Sequence, residues 1–475
     1  MPHNRQPREP AGIPSPGLSF SVGELTLRDL QKLLDGPSAC SFWEPESDIS
    51  RQGALYRDPR FGLTIVMADA WDEGQTFGPI ELRIPLLHGR TARGQLFSLL
   101  NVRIESSLHQ SEIDATVGFI GAWATGTEPT LDNMTVWIDE LPKLFGDQTY
   151  DPIGNVSLRP SPASKTAGAM TVTPRRDIRT TPHSQRAEGY RLELQYSQPR
   201  KLKWWMEQWI NPLTRLTSLC TGEPATTTVL ATRTGRRVHG DHEHHNLVYI
   251  TGQGWPTLDL SALDPPEPSR PVPPLLSWQV SCFKLEPLMR RLRSASNRLD
   301  VPFNNYLETV YAHLRPHHEF LNLVQAAESL HSTTAGRFKT SAPNDVTGLL
   351  NRAKERGVNS KDRQKIKRAL EQLSPNEYSL AERLESLAGA PGLPPSPQDP
   401  PPWLHDDDAQ RKMTWPIWVS RARNDISHGN VTTDSRWLQI QNRYLKAIIE
   451  RAVLRELGLP LRHCNTAAGR RYHHG

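Results

Sequence analysis

The sequence predicts an α+β chain in two successive parts, a β-rich N-terminal domain followed by an all-helical bundle. Three observations lead there. Through the first 275 residues the apolar runs are short, often alternating, and separated by Gly, Pro, Asp and Thr, which is the pattern of strands and turns. From Ser281 onward apolar residues recur at helical spacing with few strand signals. Between the two lies Asp264-Pro265-Pro266-Glu267-Pro268-Ser269-Arg270-Pro271-Val272-Pro273-Pro274, too rich in proline for either kind of element.

Taken in order, residues 1–17 read as a disordered tail and 18–263 as the β-rich domain. Its strands are expected at Leu63–Met67, Glu81–Leu86, Gln95–Leu100 and Thr116–Ile120, and again at Arg191–Tyr196, Thr227–Thr232 and Leu247–Thr251. The segment Leu86 to Asn101 reads as a hairpin turning at Ala92-Arg93-Gly94. Trp204–Ile210 begins a helix that leads to Leu219. A basic Ser/Thr/Pro-rich stretch near 159–185 is expected to be a mobile insertion. Residues 264–275 form the linker.

The helical part is expected over 276–462, with 463–475 as a tail. Ser281–Ser296 reads as a basic amphipathic helix, Phe303–Leu314 as a second and His317–His331 as a third. The prolines of 391–402 predict a stiff surface loop near the functional cleft, since a chain so dense in proline cannot sustain regular structure. A helix then runs from Trp415 to Gly429, followed by one over Trp437–Leu457 whose Ile440, Tyr444, Ile448, Ala452 and Leu457 lie close to one stripe. Gly458-Leu459-Pro460 closes it.

The helix from Trp415 carries the most specific chemistry. It places Arg421, Arg423, Asn424 and His428 near its C-terminal end and stops at Gly429-Asn430. Gly429 suits a left-handed cap, leaving His428 where the partial negative charge of the helix terminus attracts a cationic ring. Phosphoryl-transfer chemistry needs a group that can take and give protons and a fixed cation for the charge developing on phosphorus. Histidine and arginine supply those roles. At about 100° per residue, Arg423 and His428 lie roughly 140° apart, whereas Arg421 and His428 are nearly in register. A fraying last turn and a long guanidinium stem can absorb the angle at Arg423, so both arginines stand as partners for His428.

The Arg423-Asn424-x3-His428 spelling resembles the Arg-x4-6-His signature of HEPN domains, all-helical modules that often act as metal-independent endoribonucleases. Together with the upstream Leu323-Val324-Gln325-Ala326-Ala327-Glu328-Ser329-Leu330-His331 and the Leu457-Gly458 helix end, it is similar to the ApeA-type HEPN domain. The His88-Gly89-x-Thr91-x-x-Gly94 hairpin resembles that of the ApeA N-terminal domain. The resemblance implies a helical nuclease domain whose cleft is assembled from two protomers, hence a homodimer or higher homo-oligomer acting on RNA. It also implies a role in bacterial defence against phage by abortive infection, with the N-terminal domain sensing infection through a phage-derived protein trigger. Because Asn424 matches the polar residue that follows the arginine in the family, the resemblance favours Arg423; catalysis is expected at Arg423, His428 and Asn424, with Arg421 as the phosphate-binding second choice, Glu328 as a further accessory residue and no cofactor. Glu328 either orients Arg423 or lines the cleft, or is an ordinary salt-bridged glutamate. His331 is expected to cap or end its helix. The alternative is a catalytically silent HEPN module that binds RNA or a protein partner.

Other features narrow the class. A net charge of +5 and a pI near 9.0 suit a nucleic-acid partner. The cations concentrate at Arg290, Arg291, Arg293 and Arg298 and at Arg352, Lys354, Arg356, Lys361, Arg363, Lys365, Lys367 and Arg368, two clusters that suit RNA contact. His239-Gly240-Asp241-His242-Glu243-His244-His245 offers four imidazoles and two carboxylates, with His239, Asp241, His242, His244 and His245 as the candidate ligands, yet it lies between two strand-like runs and lacks the His-Glu-x-x-His helical spacing, so no metal is expected. A mean hydropathy of -0.56 and no apolar run of spanning length predict a cytoplasmic protein with no membrane partner. Cys40, Cys220, Cys282 and Cys464 are too scattered for a metal site or a disulfide framework and read as free thiols.

Overall fold

The computed structural model describes residues 18–20, 33, 36–58, 62–69, 71, 80–106, 110–145, 164–180, 186–239, 242–252, 277–278, 284–296, 299–312, 314–335, 346–365, 378–403, 413–429 and 434–474. The chain divides into two compact units, one of residues 1–217 and 225–271, the other of 218–224 and 272–475. The tail over 1–17 and the expected linker 264–275 lie outside the described residues.

In the first unit the strands are β1 (Leu18–Phe20), β2 (Ser38–Trp43), β3 (Arg51–Asp58), β4 (Gly62–Met67), β5 (Ile80–Thr91), β6 (Leu96–Ser106), β7 (Ser111–Ile120), β8 (Ala122–Ala124), β9 (Thr130–Ile138), β10 (Lys165–Ala167), β11 (Met170–Thr180), β12 (Arg186–Lys201), β13 (Thr227–His239) and β14 (His242–Gly252). Among the described residues, twelve join one antiparallel sheet in the order β10-β11-β12-β9-β13-β14-β7-β4-β3-β2-β5-β6, and β6 pairs back onto β7. That last pairing closes β7-β4-β3-β2-β5-β6 into a barrel, which removes the free edges an open sheet would expose. Alternate residues point inward, so Phe42, Leu55, Leu63, Ile65, Phe97, Leu99, Val102, Ile104 and Ile113 fill the interior. Strand β7 is the branch point. Ser111–Asp114 pair with β4, while Val117–Ile120 pair with β14 and carry the sheet onward.

The barrel explains the His88-Gly89-x-Thr91 spelling. Gly89 sits opposite Phe97, and a Cβ there would lie 2.0 Å from the Phe97 ring, so only glycine lets the ring cross the strand. Thr91 accepts at its hydroxyl from the Gln95 amide (3.2 Å), and Gly94 turns the hairpin at φ 82°. His88 stacks on Trp123 and its Nε2 lies 2.9 Å from the Ala124 carbonyl; burial holds its pKa below the usual histidine range. We expect Gly89→Ala to destabilise the barrel by about 1–3 kcal/mol through overpacking against Phe97. Faster hydrogen exchange in peptides from 80–106 would show it, and unchanged exchange would mean that the ring swings aside.

The stretch expected as a mobile insertion departs from that expectation. Residues 164–180 contain β10 and β11, and β11 pairs with β12 from Met170 through Thr180. Met170 and Val172 alternate with exposed or half-buried threonines, and this local period-2 pattern was hidden in a low-complexity composition. Residues 159–163 and 181–185 lie outside the described residues. The helix expected from Trp204 is present as α2 (Leu202–Trp205), a π-helical turn over Met206–Ile210 and α3 (Asn211–Thr221), after the short α1 (Leu141–Phe145).

The second unit is helical: α4 (Leu285–Ser296), α5 (Asp300–Tyr311), α6 (Pro316–Thr334), α7 (Val346–Glu355), α8 (Leu380–Ala388), α9 (Trp415–Ser427), α10 (Ser435–Glu456) and α11 (Leu461–His474). Helix α10 is central and is buried over most of its circumference rather than on one stripe. Its polar residues are therefore paired inside the bundle. Tyr306 donates to Glu450 (2.5 Å), and Asn442 donates to Glu319 (2.9 Å). The expected tail over 463–475 is largely helix instead. Gly458, at φ 80°, ends α10, and Cys464, Ala467 and Ala468 give α11 a stripe of small residues that packs closely. Cys40, Cys220 and Cys464 are buried thiols not joined in disulfides, whereas Cys282 lies outside the described residues. Among the described residues no helix is long and apolar enough to cross a membrane.

Candidate active site

Helix α9 is amphipathic in a way that fixes what each of its residues can do. Trp415, Trp418, Val419 and Ala422 occur at helical spacing and are buried, with Pro416 beside them at the first turn, where its missing N–H costs nothing. The opposite face carries Ile417, Arg421, Asn424 and His428, all exposed. The helix is regular to Ser427. His428 is its C-cap, its amide donating to the Asn424 carbonyl at 3.0 Å, and Gly429 turns away at φ 68°.

Arg423 is also exposed, and by helical geometry its Cβ leaves roughly 140° round from that of His428. Its guanidinium does not stay there. Nη1 of Arg423 donates to the Asn424 side-chain oxygen at 3.2 Å, and Asn424 lies one turn before His428 on the same face. The arginine is thus turned toward the histidine's side of the helix by the residue that follows it. Arg421 reaches that face directly, so both arginines and His428 gather at one exposed helix end.

Glu328 and His331 have partners outside α9. Glu328, on α6, pairs with Arg383 of α8 at 3.5 Å, the ordinary salt-bridged role. His331 lies in the last turn of its helix, as expected, its carbonyl accepting from the Ala335 amide at the C-cap (2.8 Å), but the residue is only 1% exposed and its ring packs edge-on against Tyr378. Burial and the neighbouring Arg383 keep its pKa below the usual range, and among the described residues its Nδ1 has no hydrogen-bond partner. Arg383 was not expected from the sequence. It is buried, donates to the Tyr378 carbonyl (2.8 Å) and to Ser332, and ties α8 to α6.

The two basic clusters differ. Arg291 packs over Gly458, where an added Cβ would lie 1.1 Å from its Nη1, and Arg293 donates to the Met289 carbonyl, so these two serve the bundle. Arg290 is exposed and Arg298 lies outside the described residues. In the other cluster Arg352, Lys354, Arg356, Lys361 and Lys365 are exposed and Arg363 is half-buried; Lys367 and Arg368 lie outside. In the β13–β14 hairpin the backbone of His239 pairs in register with that of His242 and the backbone of His244 with that of Arg237, and Asp241 lies outside the described residues. Among the described residues no group of three or more potential metal ligands comes together.

Comparison with protein families matches both units. Residues 40–228 match the family described as ApeA N-terminal domain 1, and residues 321–462, which contain α9 and α10, match the Apea-like HEPN family. No curated protein and no solved structure matches the chain. A closed β-barrel with an extended sheet, followed by a helical bundle whose penultimate matched helix ends in Arg-Asn-x3-His-Gly, makes this chain a member of the ApeA-like HEPN proteins, a defence-associated family of nuclease type.

Proposed function

We propose that the protein is a metal-independent endoribonuclease that acts in bacterial anti-phage defence by abortive infection. The observation that carries this reading is the Arg423–Asn424 hydrogen bond, which turns a guanidinium toward the face that presents His428. One imidazole takes the ribose 2′-OH proton as the 2′-oxygen attacks phosphorus, and the leaving 5′-oxygen is protonated as its bond to phosphorus breaks. The guanidinium meets the charge on the phosphoryl oxygens. The products are a 2′,3′-cyclic phosphate and a 5′-hydroxyl.

One exposed pair per chain offers a single imidazole, whereas base and acid together call for two. HEPN domains commonly dimerise and bind RNA, and a homodimer that brings two α9 ends to one cleft supplies both groups. The exposed cations of 352–365 then suit the RNA backbone. The N-terminal barrel is assigned to sensing the phage-derived trigger, and the protein to the cytoplasm.

Purified protein incubated with total RNA in EDTA is expected to generate new ends of the cyclic-phosphate and 5′-hydroxyl kind. Loss of cleavage in EDTA with recovery in zinc, in a protein that tolerates His428→Ala, would move the chemistry to the His239–His245 hairpin. RNA binding without cleavage would leave a silent HEPN module.

A further inference from the structure

We propose that Trp437, Tyr444 and Arg451 are positioning residues, a clamp on α10 that grips the proline-rich segment 391–403 and, through Tyr444, sets the position of the helix bearing Arg423 and His428. The clamp itself stands on geometry alone; only its effect on turnover rests on the ribonuclease reading.

A proline-rich chain has few N–H groups, so it cannot join a sheet or helix and offers mainly carbonyls. Helix α10 meets it with side chains that donate. Trp437 Nε1 donates to the Asp399 carbonyl (3.0 Å), the Tyr444 hydroxyl to Pro394 (3.2 Å) and Arg451 Nη2 to Pro391 (3.3 Å). These donors are seven residues apart, which on an α-helix keeps them within about 20° per step and spaces them about 10.5 Å apart. Their acceptors run in reverse order, so segment and helix are antiparallel. Eight residues of extended proline-rich chain reach about 25 Å, against about 21 Å between Trp437 and Arg451, so the two can run alongside.

The ends are fastened further. Asn465 of α11 donates to the Pro391 carbonyl (3.1 Å) and accepts from Arg451 Nε (2.8 Å). Gly392 lies at φ 84° where a Cβ would approach Asn465 Nδ2 to 2.0 Å. At the other end Trp403 packs edge-on against Trp437, and Pro397 and Pro401 are buried.

Tyr444 connects this seam to the active helix. Its ring packs edge-on against Trp415, the first residue of α9, at 4.8 Å, and Trp415 is fixed by its bond to Gln441 (2.7 Å). Helix α9 is about 20 Å long, so a tilt of a few degrees at Trp415 moves His428 by about 1 Å. A displacement of that size can cost on the order of 10²-fold in rate.

Tyr444→Phe tests the clamp because it keeps the ring against Trp415 and removes only the donor to Pro394; Arg451→Lys is the second variant, retaining charge but not the two-way fork. In the full-length protein, hydrogen exchange is expected to rise in peptides covering 391–403 and also in those covering 415–429, while α5 keeps its protection. RNA turnover is expected to fall about tenfold in kcat with KM unchanged. Exchange that rises over 391–403 alone, or in neither region, overturns the proposal. If the wild-type protein cleaves no RNA, the ribonuclease reading fails and the exchange pattern still decides the clamp.

Discussion

His428→Ala is expected to abolish RNA cleavage, with the single-turnover rate falling by at least about 10²–10⁴-fold, the range that one acid–base group supplies. The same substitution should leave the fold intact. His428 is exposed at the C-cap, in a backbone conformation (φ -92°, ψ -1°) that alanine adopts without strain, and Gly429 still ends the helix. Surface changes of that kind usually shift stability by no more than about 0.5 kcal/mol. The check is a thermal midpoint and an elution volume that match wild type beside a cleavage assay that fails. Retained cleavage would remove His428 from the chemistry outright.

What the sequence reveals of this fold depends on whether the signal is local. The strands at Leu63–Met67 and Thr116–Ile120 and the hairpin at Ala92-Arg93-Gly94 were legible because alternation and turn chemistry act within a few residues. Barrel closure was not, since it rests on β6 pairing with β7 as well as with β5, and each of those strands reads the same in an open sheet. The β10–β11 pair was missed because composition over 159–185 outweighed the alternation of Met170 and Val172.

In the helical unit the position of α9 followed from its caps and its apolar stripe, but α10 was read as one-sided when it is enclosed. Gln441, Asn442, Glu450 and Arg451 look like solvent-facing residues in sequence, and only their partners on other elements explain their burial. The heptad spacing of Trp437, Tyr444 and Arg451 was visible, though nothing local says that three chemically different side chains share one function. The placement of Arg423, Asn424 and His428 at the exposed end of α9 was legible in the sequence. The turn of the Arg423 guanidinium onto the histidine's face is a side-chain event that ideal helix geometry does not contain.

That turn favours Arg423 over Arg421 in the proposed reaction. Arg423→Lys keeps a positive charge but loses the planar fork that grips two phosphoryl oxygens while also donating to Asn424, so turnover should collapse while RNA binding largely survives. Arg421→Lys should be milder, because a lysine on the same exposed face still meets the phosphate backbone as a point charge. Asn424→Ala should fall between them: the guanidinium remains but is no longer held toward His428, and a hydrogen bond between exposed groups is worth at most about 1–2 kcal/mol, roughly a tenfold change in rate. Single-turnover rates for the three variants, measured beside RNA affinity at fixed salt, give the ranking. If Arg421→Lys is the most damaging and Asn424→Ala has no effect, the arginine that shares His428's face by helical geometry alone is the catalytic one. The Arg423–Asn424 bond would then be incidental to the reaction.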